Sequence, residues 1–248
     1  MQAQFQPPVI TICAMIEFMM SLVRGSKQIM KHSALRKEVI ETARAINTLG
    51  INQGTLGNIS ARIETGLLVT PSGVPYEDCA PEDVVEMDAE GCYSSIRRPS
   101  SEWRFHRDIL LSHPEVNAVI HTHSTFATTL ACLGLTIPAF HYRIAVAGGI
   151  DIRCADYATP GSPAHSDYIL KALEDRCACL VANHGMVCIG DTLKATLALA
   201  VEVETLAEQY WRALQIAEPA LLSETEIDAI RQSFKTYGQS KSGIGDAD

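Results

Sequence analysis

No cluster of Lys and Arg runs through this sequence: the longest basic run is Arg97-Arg98, and the formal net charge is −9 with a pI near 5.4. A nucleic-acid surface needs grouped cations to displace counterions from phosphates, so the charge balance argues against that class of partner. The chain also lacks a Cys-x-x-Cys pair. Its eight cysteines are scattered, and Cys177-Ala178-Cys179 sits among apolar residues. They read as reduced, buried thiols of a cytosolic protein and predict a cytoplasmic location. Nor is there an apolar stretch suited to a bilayer. Val9 to Val23 is interrupted by Glu17, follows no basic segment, carries no small-residue cleavage site and is too short to span. Internal repeats, low-complexity blocks and linkers are absent as well.

What is present is ample core material. A chain of 248 residues, 47% hydrophobic and 20% charged, can bury a sizeable interior. The first 29 residues stand apart, and the chain proper is expected to begin at Met30, with 1–29 a loosely attached extension or a start codon placed too early. From Ser33 the patterning is regular. Leu35, Val39, Ala43, Ile46 and Leu49 recur at helical spacing, Ser33 suits an N-cap and Gly50 closes the run. Ile59 to Ile63 and Leu67 to Thr70 read as strands joined by a Glu-Thr-Gly turn. Further helices are expected over Thr125 to Leu133, Ser162 to Arg176, from an Asp191 cap to about Ile216, and over Ser223 to Phe234. Cys179 to Ile189 reads as one buried strand with His184 in its middle. The expected outcome is one α/β domain, its strands covered by helices on both faces.

Val119-Ile120-His121-Thr122-His123 carries the sharpest chemical signal. Histidines at i and i+2 on a strand point the same way, so His121 and His123 can reach one ion. His184, in Asn183-His184-Gly185, can supply a third nitrogen, and three neutral imidazoles with an open fourth position describe a catalytic zinc site. Taken singly, each histidine is as well explained by a core or surface role. Pro99-Ser100-Ser101-Glu102-Trp103 reads as a helix N-terminus, where unpaired N–H groups and serine hydroxyls favour a phosphate. The loops Gly54-Thr55-Leu56-Gly57-Asn58 and Pro71-Ser72-Gly73-Val74-Pro75 let backbone N–H groups approach an anion closely, although such residues are also ordinary loop material. His32, His113 and His165 are expected to be solvated or capping, and His106 and His141 structural. Arg143 and Arg153 read as interface or substrate contacts.

Eight motifs, in order, carry a resemblance. They are residues 54–60 (GTLGNIS), 70–76 (TPSGVPY), 100–106 (SSEWRFH), 121–123 (HTH), 137–142 (IPAFHY), 157–159 (YAT), 183–185 (NHG) and 234–238 (FKTYG). Together they resemble the L-fuculose-1-phosphate aldolase branch of the class II aldolase and adducin-head family, from about Ser33 to Gly238. The resemblance implies a three-layer α/β/α fold with a central mixed, largely antiparallel sheet over 30–248, ending in a mobile tail. It implies zinc held by His121, His123 and His184, one ion per subunit, with Glu102 as acid/base and as a further approach to the metal. It places Thr55, Asn58, Ser72, Gly73, Ser100 and Ser101 at phosphate-binding positions, Tyr142 as a proton-handling residue reaching across a subunit boundary, and Tyr237 on the tail. A homotetramer with shared active sites, acting on a phosphorylated sugar, follows from the same resemblance.

The implied reaction cleaves a ketose 1-phosphate to dihydroxyacetone phosphate and a small aldehyde. L-fuculose 1-phosphate and the 5-deoxyribulose or 5-methylthioribulose 1-phosphates of salvage reactions all fit the motifs. Pro160 stands where the fuculose branch carries a phenylalanine, a change that can widen the aldehyde pocket. A 4-epimerase of the same family carries an aspartate in place of Glu102. A family decarboxylase acting on phosphorylated oxo acids is a third reading, and a non-enzymatic adducin-like module is expected to lose its metal ligands, all of which are kept here.

Overall fold

β-strands form where apolar and β-branched residues run between glycine, proline and polar turns, and seven such segments pair into a single sheet. The computed structural model describes residues 30–236; the expectations for residues 1–29 and for Tyr237 on the tail lie outside them. In chain order the strands are β1 (Asn58–Ile63), β2 (Gly66–Val69), β3 (Val85–Asp88), β4 (Ala118–Thr122), β5 (Cys154–Ala155), β6 (Ala178–Val181) and β7 (Gly185–Gly190). Across the sheet they lie in the order β3-β2-β1-β4-β7-β6-β5. Every neighbouring pair is antiparallel except β5 with β6. The sheet is therefore mixed and largely antiparallel, with β4 at its centre.

Alternation of side chains sorts the two faces. Along β4, Ala118 and Ile120 join a core with α1 (Ser33–Thr48), α3 (Thr125–Cys132) and α5 (Leu193–Leu214). Val119 turns the other way, into a core with Phe105 and Ile109 of α2 (Trp103–Ser112) and Ile169 of α4 (Pro163–Ala172). Helices thus cover both faces, giving the three-layer α/β/α arrangement. A last helix, α6 (Glu224–Thr236), begins at a reciprocal cap: the Ser223 N–H donates to Glu226 Oε2 at 2.7 Å, and the Glu226 N–H to Ser223 Oγ at 3.3 Å. Among the described residues no helix is long and apolar enough to cross a membrane.

Three expectations need correction. The apolar run from Cys179 to Ile189 is not one strand but the β6–β7 hairpin, with Val181 paired to Gly185. Asn183 adopts a positive φ of 56° in the turn, a conformation asparagine tolerates better than most residues, and His184 follows it there rather than inside a strand. Thr192, not Asp191, caps α5: its side chain accepts from the Ala195 N–H, whereas Asp191 accepts from Asn117 Nδ2. The helix opening at Ser162 stops at Ala172, and Arg176 instead lies beyond it and pairs with Asp151 at 2.8 Å. Strand β3 alternates buried Val85 and Met87 with half-buried Glu86 and Asp88, and its four residues hold the sheet edge through β2.

Candidate active site

The centre of the sheet ends in a cluster of histidines. β4 delivers His121 at its buried end and His123 just past it, and the β1–β4 register sets Asn58 directly opposite His121. The β6–β7 turn brings His184 to the same end because β7 pairs with β4, Met186 facing Thr122. The backbone is tight there. A Cβ added at Gly185 would lie 2.3 Å from the Thr122 carbonyl oxygen and against both His121 and His123 rings, so only glycine lets β7 approach this closely. Glu102, immediately before α2, completes the group: one ligand atom from each of Glu102, His121, His123 and His184 lies within 4.8 Å of every other.

Hydrogen bonding decides which ring nitrogens are free. His121 Nδ1 faces the Met186 carbonyl at 2.9 Å, and a carbonyl only accepts, so Nδ1 carries the hydrogen and Nε2 keeps a lone pair. That Nε2 lies 2.9 Å from His123 Nε2 and 3.4 Å from Glu102 Oε2; His184 Nε2 lies 3.3 Å from Glu102 Oε1. Tetrahedral ligands on a zinc-like ion stand about 3.3 Å apart, so these spacings match a shared divalent cation. Glu102 Oε1 is buried and accepts no hydrogen bond. An orphaned carboxylate oxygen among imidazole nitrogens is what a bound cation would satisfy, and the residues fit a metal. Burial drives the imidazoles toward the neutral, ligating form. His121 and His184 are both pushed down to about 3, chiefly by desolvation, and His123 is lowered for the same reason.

Glu102 is fixed from behind by a directional chain. The Ser60 hydroxyl lies 2.8 Å from His106 Nδ1, His106 Nε2 lies 2.5 Å from Asn58 Oδ1, and Asn58 Nδ2 donates to Glu102 Oε2 at 2.9 Å. His106 is fully buried and its pKa lies well below 6.5 through desolvation. A neutral ring with one donor and one acceptor satisfies both neighbours, as its expected structural role requires.

The expected phosphate positions gather around the same end. A bridge between Pro71 and Pro99, flanked by Ser72 N–H to Arg98 O at 3.0 Å and Ser100 N–H to Thr70 O at 2.9 Å, sets the Ser72 and Ser100 loops side by side. The Tyr76 hydroxyl donates to the Gly57 carbonyl, tying in the Thr55 loop. Thr55, Ser72, Gly73 and Ser101 are exposed, Gly73 with a positive φ of 69°; Ser100 and Asn58 are buried. Tyr142 is not brought to the histidines. It is 48% exposed on a short 3-10 segment, its ring 4.8 Å from His141 and 6.4 Å from Phe234. Next to it, Arg143 pairs with Glu202 at 2.7 Å. The His141 ring accepts from the Arg143 N–H, a cap.

His165 is where the residue pattern misled. It does open a helix, but it is buried rather than solvated, stacked on His184 with centroids 5.1 Å apart. Its signal was position: at the third residue of α4, with Ser162 Oγ accepting its N–H, the side chain turns back under the sheet end. Glu204 of α5 also escaped notice. Its two oxygens accept the Phe126 and Ala127 N–H groups at 2.8 and 2.9 Å, anchoring the start of α3 just after His123. Nothing local marks a contact 77 residues away.

Comparison with known proteins agrees with this architecture. The family model described as "Class II Aldolase and Adducin N-terminal domain" matches residues 37–211. The chain belongs to that family. A 5-methylthioribulose-1-phosphate/5-deoxyribulose-1-phosphate aldolase of Rhodospirillum rubrum is 57% identical over 205 residues, covering 83% of this chain and 93% of that one. The L-fuculose phosphate aldolase of Escherichia coli K12 is 42% identical over 210 residues, 84% of this chain and 98% of its own. A solved L-fuculose 1-phosphate aldolase superimposes with a TM-score of 0.81 at 36% identity, over 83% of this chain and 98% of that chain. This class II aldolase is a lyase with a Glu and three-His group able to bind a metal ion.

Proposed function

We propose that this class II aldolase is a zinc enzyme cleaving a ketose 1-phosphate to dihydroxyacetone phosphate and a small aldehyde. The observation that carries the reading is the convergence of His121, His123, His184 and the orphaned Glu102 oxygen at one sheet end beside three anion-suited loops. Imidazole nitrogens and a carboxylate in this number suit zinc. When bound, the metal supplies Lewis-acid stabilisation of the negative charge that develops as the carbon–carbon bond breaks. The protein supplies the rest. Thr55, Asn58, Ser72, Gly73, Ser100 and Ser101 hold the phosphate; Asn58 keeps a second amide hydrogen for this beside the one it gives Glu102. Tyr142, from a neighbouring subunit, takes the proton of the C4 hydroxyl as the C3–C4 bond opens and the aldehyde leaves. Glu102, held by Asn58, then returns a proton to C3. Tyr237 is assigned to the same chemistry from the tail.

The exposure of Tyr142 on the surface of one chain supports a homotetramer with active sites shared between neighbours, formed by one domain over 30–248 in the reducing cytoplasm. Among substrates we place 5-deoxyribulose and 5-methylthioribulose 1-phosphates ahead of L-fuculose 1-phosphate. The 57% identity to the Rhodospirillum rubrum enzyme, against 42% to the fuculose enzyme, favours this order, as does Pro160. A panel of these three phosphates, assayed for dihydroxyacetone phosphate release with and without a chelator, tests the reading. Release from a salvage substrate that chelation abolishes is expected; release from none, or release indifferent to chelator, overturns it.

A further inference from the structure

A ligating histidine needs its ring held in place, and His121 has the Met186 carbonyl on its Nδ1 for that purpose. His123 has no equivalent. Among the described residues its ring makes no hydrogen bond beyond the 2.9 Å contact with His121 Nε2, so its placement depends on the backbone that carries it. β4 ends one residue earlier, at Thr122. The hydroxyls on either side, Thr122 Oγ1 and Ser124 Oγ, are buried without partners, and Ser124 stands at the N-cap of α3 without capping it. The fixed points are instead backbone N–H groups. That of His123 lies 3.4 Å from Asn52 Oδ1, and those of Phe126 and Ala127 donate to Glu204 Oε1 and Oε2 at 2.8 and 2.9 Å. We propose that Glu204 is a positioning residue of the metal centre, holding the start of α3 so that the chain leaving β4 sets His123 Nε2 beside His121 Nε2. The inference rests on the metal-centre reading above.

Glu204 is built for a fixed contact. It sits in the middle of the 22-residue α5, away from either frayed end. Ala127 and Ala131 of α3 share one core with Ala200 and Ala207 of α5, and the Phe126 ring lies 5.5 Å from that of Trp211. Packing therefore keeps the two helices together on both sides of the carboxylate. A carboxylate at a helix start also satisfies N–H groups that have no partner within the helix, and the helix dipole favours its charge there. Both Glu204 oxygens are taken up by these donors. It lies outside the group of four ligand-bearing residues, so it acts on the metal only through His123.

The test measures zinc affinity, by competition with a chromophoric chelator, and the visible absorption of the Co²⁺-loaded protein. It compares the full-length native chain with Glu204→Ala, Glu204→Gln, His123→Ala and the double variant Glu204→Ala/His123→Ala. In Glu204→Ala the free Ser124 hydroxyl can accept the Ala127 N–H, the usual N-cap bond, so α3 keeps its start while its tie to α5 is lost. Zinc affinity is expected to fall about 10-fold and the Co²⁺ absorption to change. Glutamine keeps one acceptor at full length, and its affinity is expected to lie between those of the native and alanine proteins. With His123 already removed, losing Glu204 is expected to cost no further affinity, because the ligand it positions is gone; a general loss of packing costs the same in both backgrounds. Native affinity and absorption in Glu204→Ala, or an equal loss in both backgrounds, overturns the proposal. Where alanine does not fold, native affinity in Glu204→Gln overturns it. A native protein that binds no zinc instead overturns the metal-centre reading itself.

Discussion

Asn58 Nδ2 donates to Glu102 Oε2 at 2.9 Å while its Oδ1 faces His106 Nε2, so one amide joins the carboxylate to a buried histidine 48 residues from Asn58. The contact exists because β1 pairs with β4 and α2 packs on the same face. It gives the candidate acid/base group a defined orientation before any substrate arrives.

Replacing Asn58 with Ala leaves the His106 N–H and one Glu102 oxygen buried without partners. Each such group costs about 1–3 kcal/mol. Urea denaturation of Asn58→Ala is expected to show a stability loss of that order. An unchanged midpoint would mean that water or a neighbour replaces the amide at no cost.

Glu102→Gln removes the exchangeable proton while keeping side-chain length and the oxygen-bearing end. Zinc content, measured by elemental analysis, is expected to remain near native, and turnover to fall about 10²- to 10⁴-fold. Undiminished turnover with zinc in place refutes the acid/base role.

Burial holds His106 well below its ordinary value and His121 at about 3 in the folded chain, whereas both take a proton near 6.5 once unfolded. Their folded values are depressed, so below about 6.5 the unfolded state binds more protons and stability falls with falling pH. The slope is about 1.4 kcal/mol per pH unit for each histidine that stays neutral. For His121 the loss ends only below its folded value of about 3. Metal-free protein is therefore expected to show a steadily lower urea midpoint from about pH 6.5 down to about pH 5. A constant midpoint over that range would show that these rings are not held neutral.

Much of this was legible because local physics repeats along the chain. The helical period of Leu35, Val39, Ala43 and Ile46 marked α1 to within one residue, and the i, i+2 spacing of His121 and His123 already implied a shared direction. Ser100 and Ser101 before Trp103 did announce a helix start. The β6–β7 hairpin was obscured because both strands are buried on both faces and read as one apolar run. Its punctuation, Asn183 and Gly185, coincides with a motif that invites a chemical reading instead.

Composition and periodicity by themselves determined an α/β chain with helices on two faces and two histidines able to share an ion. They could do so because helix and strand periods, charge spacing and the alternation of side chains are properties of neighbouring residues. Only the tertiary structure decided that His184 reaches those histidines from a turn, that His165 lies buried against it, that Asn58 grips Glu102, and that Tyr142 faces outward. Those contacts join residues 19 to 63 positions apart, or depend on what lies outside one chain, and they follow from sheet order and register rather than from any local pattern.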